Sequence, residues 1–225
     1  MTVGATRFKR EIEALRLGGS IALHVRYGTD LAHCIEASHA AAVVLRKRGI
    51  EATAEPCSVY IDTTTGIGAS IGHTQESLYS FLCANSSGEP PPYEEWSKTH
   101  ANFTKERFPL HFVVRAKNGT ASALLDLTIG QISALIQQEG FPSSMAIFGE
   151  PNKSGFLEVE TARGDRIVYG PCPHEEAVAE YKDPSRVCMD GIVGDMSDLA
   201  DLALEADLDR DRFVKLVGER MRSPG

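Results

Sequence analysis

The sequence predicts an α+β protein: amphipathic helical stretches lead into a run of short, mostly antiparallel strands, and an acidic helical pair closes the chain. Three observations carry this. Apolar residues recur at i, i+3 and i+4 over residues 5–17 and 30–48. An Asn118-Gly119 dipeptide separates two strand-like runs. After Gly170-Pro171 the chain turns acidic and helical, so residues 1–170 read as one core and 171–225 as an acidic helical C-terminal extension docked on it.

In order, residues 5–17 form a helix with Phe8, Ile12 and Leu15 on its apolar face, stopped by Gly18-Gly19, and Ser20 to Tyr27 follows as a short strand or extended segment. The strongest helix spans about 30–48, capped by Thr29 or Asp30 and stopped by Gly49. Its inward stripe is Leu31, Cys34, Ser38, Ala41 and Leu45, small enough to approach a sheet closely. Arg46-Lys47-Arg48 reads as its solvated end. Ile50 to Asp62 is a strand in which Pro56 hints at a bulge or edge. Residues 63–72 and 86–92 are Gly-, Thr-, Ser- and Pro-rich loops around a short helix near 78–82. A hairpin at 110–128 precedes a helix at 131–139, strands near 144–148, 156–160 and 165–169, and a helix near 174–182. The final pair, 196–221, carries Leu199, Leu202, Phe213, Leu216 and Val217 at helical spacing.

A net charge of -8 argues against nucleic acid as a partner, because phosphate binding needs clustered cations. Five cysteines without C-x-x-C spacing, and an N-terminal segment with no apolar core, point to free thiols in the cytoplasm. No apolar run approaches the roughly 18 to 20 residues that cross a bilayer, so no membrane partner is expected. Neither metal nor cofactor is expected. Cys172, His174 and Cys188 lack a fourth ligand, Asp207-Leu208-Asp209-Arg210-Asp211 lacks the calcium-loop Gly and Glu, and no Lys follows Thr65-Gly66-Ile67-Gly68.

The chemistry-bearing signal is the hairpin. With Asn118-Gly119 as the two turn residues, Val114 faces Ala123, Phe112 faces Leu125, and His111 lands opposite Asp126 on one face of the ribbon. A His held in one tautomer by a carboxylate suits activation of a nucleophile, and Cys34 lies inside the strongest helix. Each residue alone has an ordinary reading: a core thiol, a satisfied strand His, and an Asp capping the turn Asp126-Leu127-Thr128. The expectation is that the three converge. The Cys34 N–H is the natural first oxyanion donor, His24, Tyr27 and His33 are candidates for the second, and Gln131 either lines the site or begins the next helix.

Cys34 opening a helix, Leu45-Arg46 with Gly49-Ile50-Glu51-Ala52 closing it, then His111-Phe112-Val113-Val114 and Leu125-Asp126-Leu127-Thr128, resembles the transglutaminase-like superfamily of papain-type cysteine enzymes over roughly residues 28–130. The resemblance implies a central helix packed on an antiparallel sheet. It also implies Cys34 as nucleophile, His111 as general base and acid, Asp126 as orienting carboxylate, and a peptide or protein amide as substrate. Arylamine N-acetyltransferases share this order, but their Arg-Gly-Gly-x-Cys entrance is absent and acetyl-CoA use is not expected. The alternative is a catalytically inactive member of that fold acting as a protein-binding module.

Overall fold

A computed structural model describes residues 3–28, 33–64, 68–72, 89–99, 111–130, 141–153, 155–172, 181–189 and 191–222, together with the single positions 79, 83 and 179. Expected helices near 78–82, 131–139 and 174–182 fall wholly or mostly outside these residues. The architecture is mixed α+β: helices α1 (Val3–Tyr27), α2 (Cys34–Lys47), α3 (Tyr93–Thr99), α4 (Ile192–Glu205) and α5 (Arg210–Arg222), with strands β1 (Glu51–Asp62), β2 (Gly68–Ile71), β3 (His111–Asn118), β4 (Ala121–Asp126), β5 (Met145–Phe148), β6 (Leu157–Glu160) and β7 (Arg166–Pro171). Two compact units arise: residues 1–55, 112–150 and 181–225 form one, and residues 56–111 and 151–180 the other.

In the first unit the sheet runs β5-β4-β3 and on to the first half of β1. One core joins Phe8, Ile12 and Leu15 of α1, Ala37, Ala40, Ala41 and Leu45 of α2, and Met196, Ala200 and Ala203 of α4 to Val114, Ala116, Ala123 and Leu125 of the β3–β4 ribbon. The expected apolar face of α1 is therefore the buried one. Burial of each large side chain contributes about 1.5–3 kcal/mol, and the alanine-rich faces let the helices pack closely.

Two expectations fail in α1. Gly18-Gly19 does not end the helix, and Ser20 to Tyr27 is helical, not extended. The reason is tertiary: a Cβ on Gly18 would lie 2.5 Å from the Ala200 backbone N of α4, and one on Gly19 would lie 2.9 Å from the Leu127 side chain. The glycines serve close approach, and packing outweighs the propensity cost of about 1 kcal/mol each.

The far end of α2 behaves as expected. Gly49 has φ +79°, Ile50 N–H donates to Leu45 O at 3.0 Å, and Gly49 N–H donates to Arg46 O at 3.0 Å, a Schellman closure. Arg48, however, is no solvated cation. Its side chain is 13% exposed, and it bonds Glu11 Oε2 of α1 at 2.7 Å and Asp201 Oδ1 of α4 at 2.7 Å. Its guanidinium also donates to Ser197 O at 3.1 Å. A forked, permanently charged group ties three helices together.

The acidic run 207–211 is a turn between helices. Leu208 N–H donates to Ala203 O and Asp207 N–H to Leu204 O, both at 2.9 Å, while Asp209 Oδ1 accepts the Arg212 N–H at 2.8 Å as the cap of α5. Asp207 and Leu208 take φ of 57° and 62° to make it.

In the second unit the latter half of β1 lies between β2 and β7. Val59 pairs with both Ile71 and Tyr169, so this half of β1 is a central strand, and its residues 57–61 are buried without a break. The Gly- and Thr-rich segment expected as a loop thus supplies strand β2. An aromatic cluster gathers Tyr60, Trp96 and Val168 with Tyr79, Tyr93 and Phe156. Burial, reinforced by Asp62 and opposed by Arg166, pushes the Tyr60 phenol up to about 12. An unfolded tyrosine ionises near 10, so the stability linked to Tyr60 is present below pH 10 and lost as pH rises toward 12. One phenolate of the six tyrosines is expected to appear only near pH 12 in absorbance at 295 nm, and Tyr60→Phe should remove that late step.

The β6–β7 hairpin is pinned by Asp165, which is fully buried. Its Oδ1 accepts the Thr64 N–H at 3.0 Å and the Thr64 hydroxyl at 3.3 Å, and its Oδ2 accepts the Thr161 hydroxyl at 3.3 Å. Burial raises the carboxyl, but these bonds together with Arg163 outweigh it and hold Asp165 below the usual carboxylate value. A depressed folded value means that its contribution is complete above about pH 4 and is lost as pH falls through the folded value. Asp165→Ala is expected to cost about 1–3 kcal/mol in urea unfolding at pH 7, by orphaning the Thr64 N–H, with the loss narrowing below pH 4.

Candidate functional site

Cys34 is the first residue of α2, and His33 occupies the N-cap position with φ -107°. The helix therefore begins later than the expected residue 30, and the caps expected at Thr29 or Asp30 lie outside the described residues. The difference matters chemically. A thiol in the first turn sits among the amide N–H groups that a helix leaves without intrahelical acceptors, and those groups favour anions. Ala37 N–H donates to His33 O at 2.9 Å, which starts the ladder just behind the sulfur-bearing residue. Cys34 is buried, 8% exposed, yet it is not a member of the helical core that takes up Ala37, Ala40 and Ala41 of its own helix. It is one of five free cysteines, of which Cys188 is exposed.

Two expected neighbours of Cys34 meet each other. Tyr27, which ends α1, stacks on His33 with ring centroids 3.8 Å apart and planes 15° from parallel. His33 Nδ1 lies 3.8 Å from Glu36 Oε2, beyond hydrogen-bonding reach, and both atoms are buried without a hydrogen-bond partner. His24 lies within α1, and Gln131 is outside the described residues.

The hairpin forms, but not in the expected register. Asn118 pairs with Ala121, leaving Gly119-Thr120 as the two-residue loop, and Val114 pairs with Leu125 in place of Ala123. Gly119 has φ +63°, whereas Asn118 and Thr120 stay at negative φ, the pattern of a type II′ turn with Gly first. Partners move by two residues, so faces are preserved. Asp126 falls level with Val113, and His111 stands two residues further along β3 on that same alternating face. The direct opposition of His111 and Asp126 gives way to a diagonal relation.

Both residues are buried, His111 at 2% exposure and Asp126 at 0%. Asp126 Oδ1 accepts the Thr128 N–H at 2.9 Å and the Thr128 hydroxyl at 3.4 Å, so the capping role weighed from Asp126-Leu127-Thr128 is real. Since Val114 and Leu125 belong to the helical core, alternation turns Asp126 to the opposite face of the ribbon, where Val113 and Leu124 are likewise fully buried outside that core.

One residue was missed. His39, five positions after Cys34 and buried, lies with its ring centroid 5.9 Å from that of Phe112, and its Nε2–H donates to Tyr181 O at 2.8 Å. Helix α2 thus touches β3 through the face that carries Phe112, which by alternation is the face opposite to His111. The only sequence signal was a His set directly before the alanine run of α2.

Among the described residues no group of three or more His, Cys, Asp or Glu could hold a metal ion, and no helix is long and apolar enough to cross a membrane. Comparison of the chain with family models, with curated proteins and with solved structures finds no match.

Proposed function

We propose that the chain is a cysteine-dependent enzyme of acyl transfer or amide hydrolysis, with the transglutaminase-like, papain-type arrangement of a central helix on an antiparallel sheet. Cys34 is the nucleophile, His111 the general base and acid, and Asp126 the carboxylate that orients the imidazole. A peptide or protein amide is the substrate. The observation that supports this reading is the place of Cys34 at the first position of α2, among backbone N–H groups that favour an anion, together with the shared ribbon face of His111 and Asp126. Free cysteines throughout suit the reducing cytoplasm.

In the first half-reaction the Cys34 sulfur forms a bond to the substrate carbonyl carbon while its proton passes to the imidazole. The C–N bond then breaks, and the imidazolium returns the proton to the leaving amine. Water or a second amine attacks the thioester, the imidazole takes its proton, and the C–S bond breaks to regenerate the thiol. The Cys34 N–H supplies the first oxyanion contact.

The test is chemical labelling. At pH 6 an ordinary thiol, with a pKa near 8.5, is less than about 1% ionised, so an activated one stands out. Iodoacetamide followed by peptide mapping should modify buried Cys34 about 10²-fold faster than exposed Cys188, and His111→Ala should abolish the excess. Labelling that follows exposure, with Cys188 first, would defeat the proposal and favour a protein-binding module.

A further inference from the structure

We propose that a groove bordered by α1, α4 and α5 is the face on which a second copy of this chain docks. The groove has a volume of about 220 Å³ and a mostly apolar lining that includes Val25, Leu199, Leu202 and Met221, with Asp198 and Arg220 also lining it. Only four large apolar side chains are exposed among the described residues, and Val25 at 60%, Met221 at 66% and Val214 at 54% all belong to helices of this groove. Val214, Val217 and Met221 follow three- and four-residue spacing, so they continue one stripe along α5. Such a concentration of exposed apolar groups marks an interaction surface.

Charge identifies the occupant. Helix α4 carries Asp195, Asp198, Asp201 and Glu205 and no basic residue, whereas α5 carries five basic residues against two acidic ones. Asp195 is paired with Arg26 and Asp201 with Arg48, but Asp198 and Arg220 make no ion pair among the described residues. A face that is acidic on one helix and basic on the next is complementary to itself. In a two-fold dimer every contact occurs twice, so an axis that lays α5 of one copy on α4 of its mate matches Asp198 with Arg220 two times over. A uniformly basic or acidic partner would meet repulsion from one helix or the other.

The experiment is sedimentation equilibrium of the full chain up to about 100 µM, a hundred times a Kd of about 1 µM. The expected result is a dimer whose Kd rises with ionic strength, because the paired charges are screened. Met221→Glu and Val25→Glu alter exposed positions that the fold does not depend on, and each is expected to raise the Kd more than tenfold. Asp198→Arg and Arg220→Glu should each do the same, while the double variant restores the affinity, since reversal of both charges recreates the pairs across the two-fold axis. A chain that stays monomeric at 100 µM overturns the proposal, as does a dimer indifferent to Met221→Glu. A double variant as weak as the single ones overturns it too.

Discussion

Replacing Asp126 by asparagine is expected to leave the fold intact and to lower turnover by about 10³–10⁴-fold, read as release of a chromophoric leaving group from an activated acyl ester. The carboxylate oxygen that accepts the Thr128 N–H at 2.9 Å has a counterpart in the amide oxygen of asparagine, so the cap survives. On the proposed mechanism, what asparagine loses is the negative charge that would fix the imidazole tautomer and stabilise the imidazolium during acylation. Asp126→Ala separates the two roles. It removes the acceptor and leaves the buried Thr128 N–H unpaired, which should cost about 1–3 kcal/mol in urea unfolding as well as turnover. If asparagine at 126 retained near-native turnover, Asp126 would be a turn residue and no more.

The face relation of His111 and Asp126 was legible in the sequence, whereas their rung was not. Asn-Gly announces a two-residue turn, but whether glycine takes its second or first central position depends on which strand pairing buries better. Here the choice places Val113, Val114, Leu124 and Leu125 all at 0% exposure. A slip of two residues preserves side-chain alternation, and that is why a face argument survived a wrong register. The start of α2 was hidden for a different reason. Thr29 and Asp30 are good capping residues, yet the helix starts behind His33 with no side-chain cap. That later start moves Cys34 from the second turn to the first position. Arg48 was misread because a cation at a helix end needs no partner to be explained, and its acids, Glu11 and Asp201, lie far away in sequence. The periodic apolar faces, by contrast, were readable from local spacing. Phe8, Ile12 and Leu15 or Ala41 and Leu45 face inward whatever the helix meets.

Gly18 was misread as a helix stop, and it yields the largest expected effect on stability. The signal against a stop was in the sequence: Gly18, Ile21, Ala22 and Val25 continue the three- and four-residue spacing of one helical face. At Gly18 an added Cβ would meet Ala200 N at 2.5 Å, Leu199 C at 2.6 Å and Leu199 O at 2.9 Å, all of them backbone atoms of α4 that no rotamer change can move aside. Gly18→Ala gains about 0.5–1 kcal/mol of helix propensity but must push two packed helices apart. Overpacking of that kind costs about 1–3 kcal/mol and more where the obstacle is backbone. A net loss of about 2 kcal/mol, and a thermal midpoint lower by about 4–8 °C, is expected for a chain of this length. Gly18→Val, with a second branch at the same place, should lose more. The control lies in the same helix: Gly4 has nothing within 4 Å of its added Cβ, so Gly4→Ala should leave the midpoint unchanged or raise it. Equal midpoints for the two alanine variants would mean that α1 and α4 do not approach through Gly18. The extended helix would then need another account.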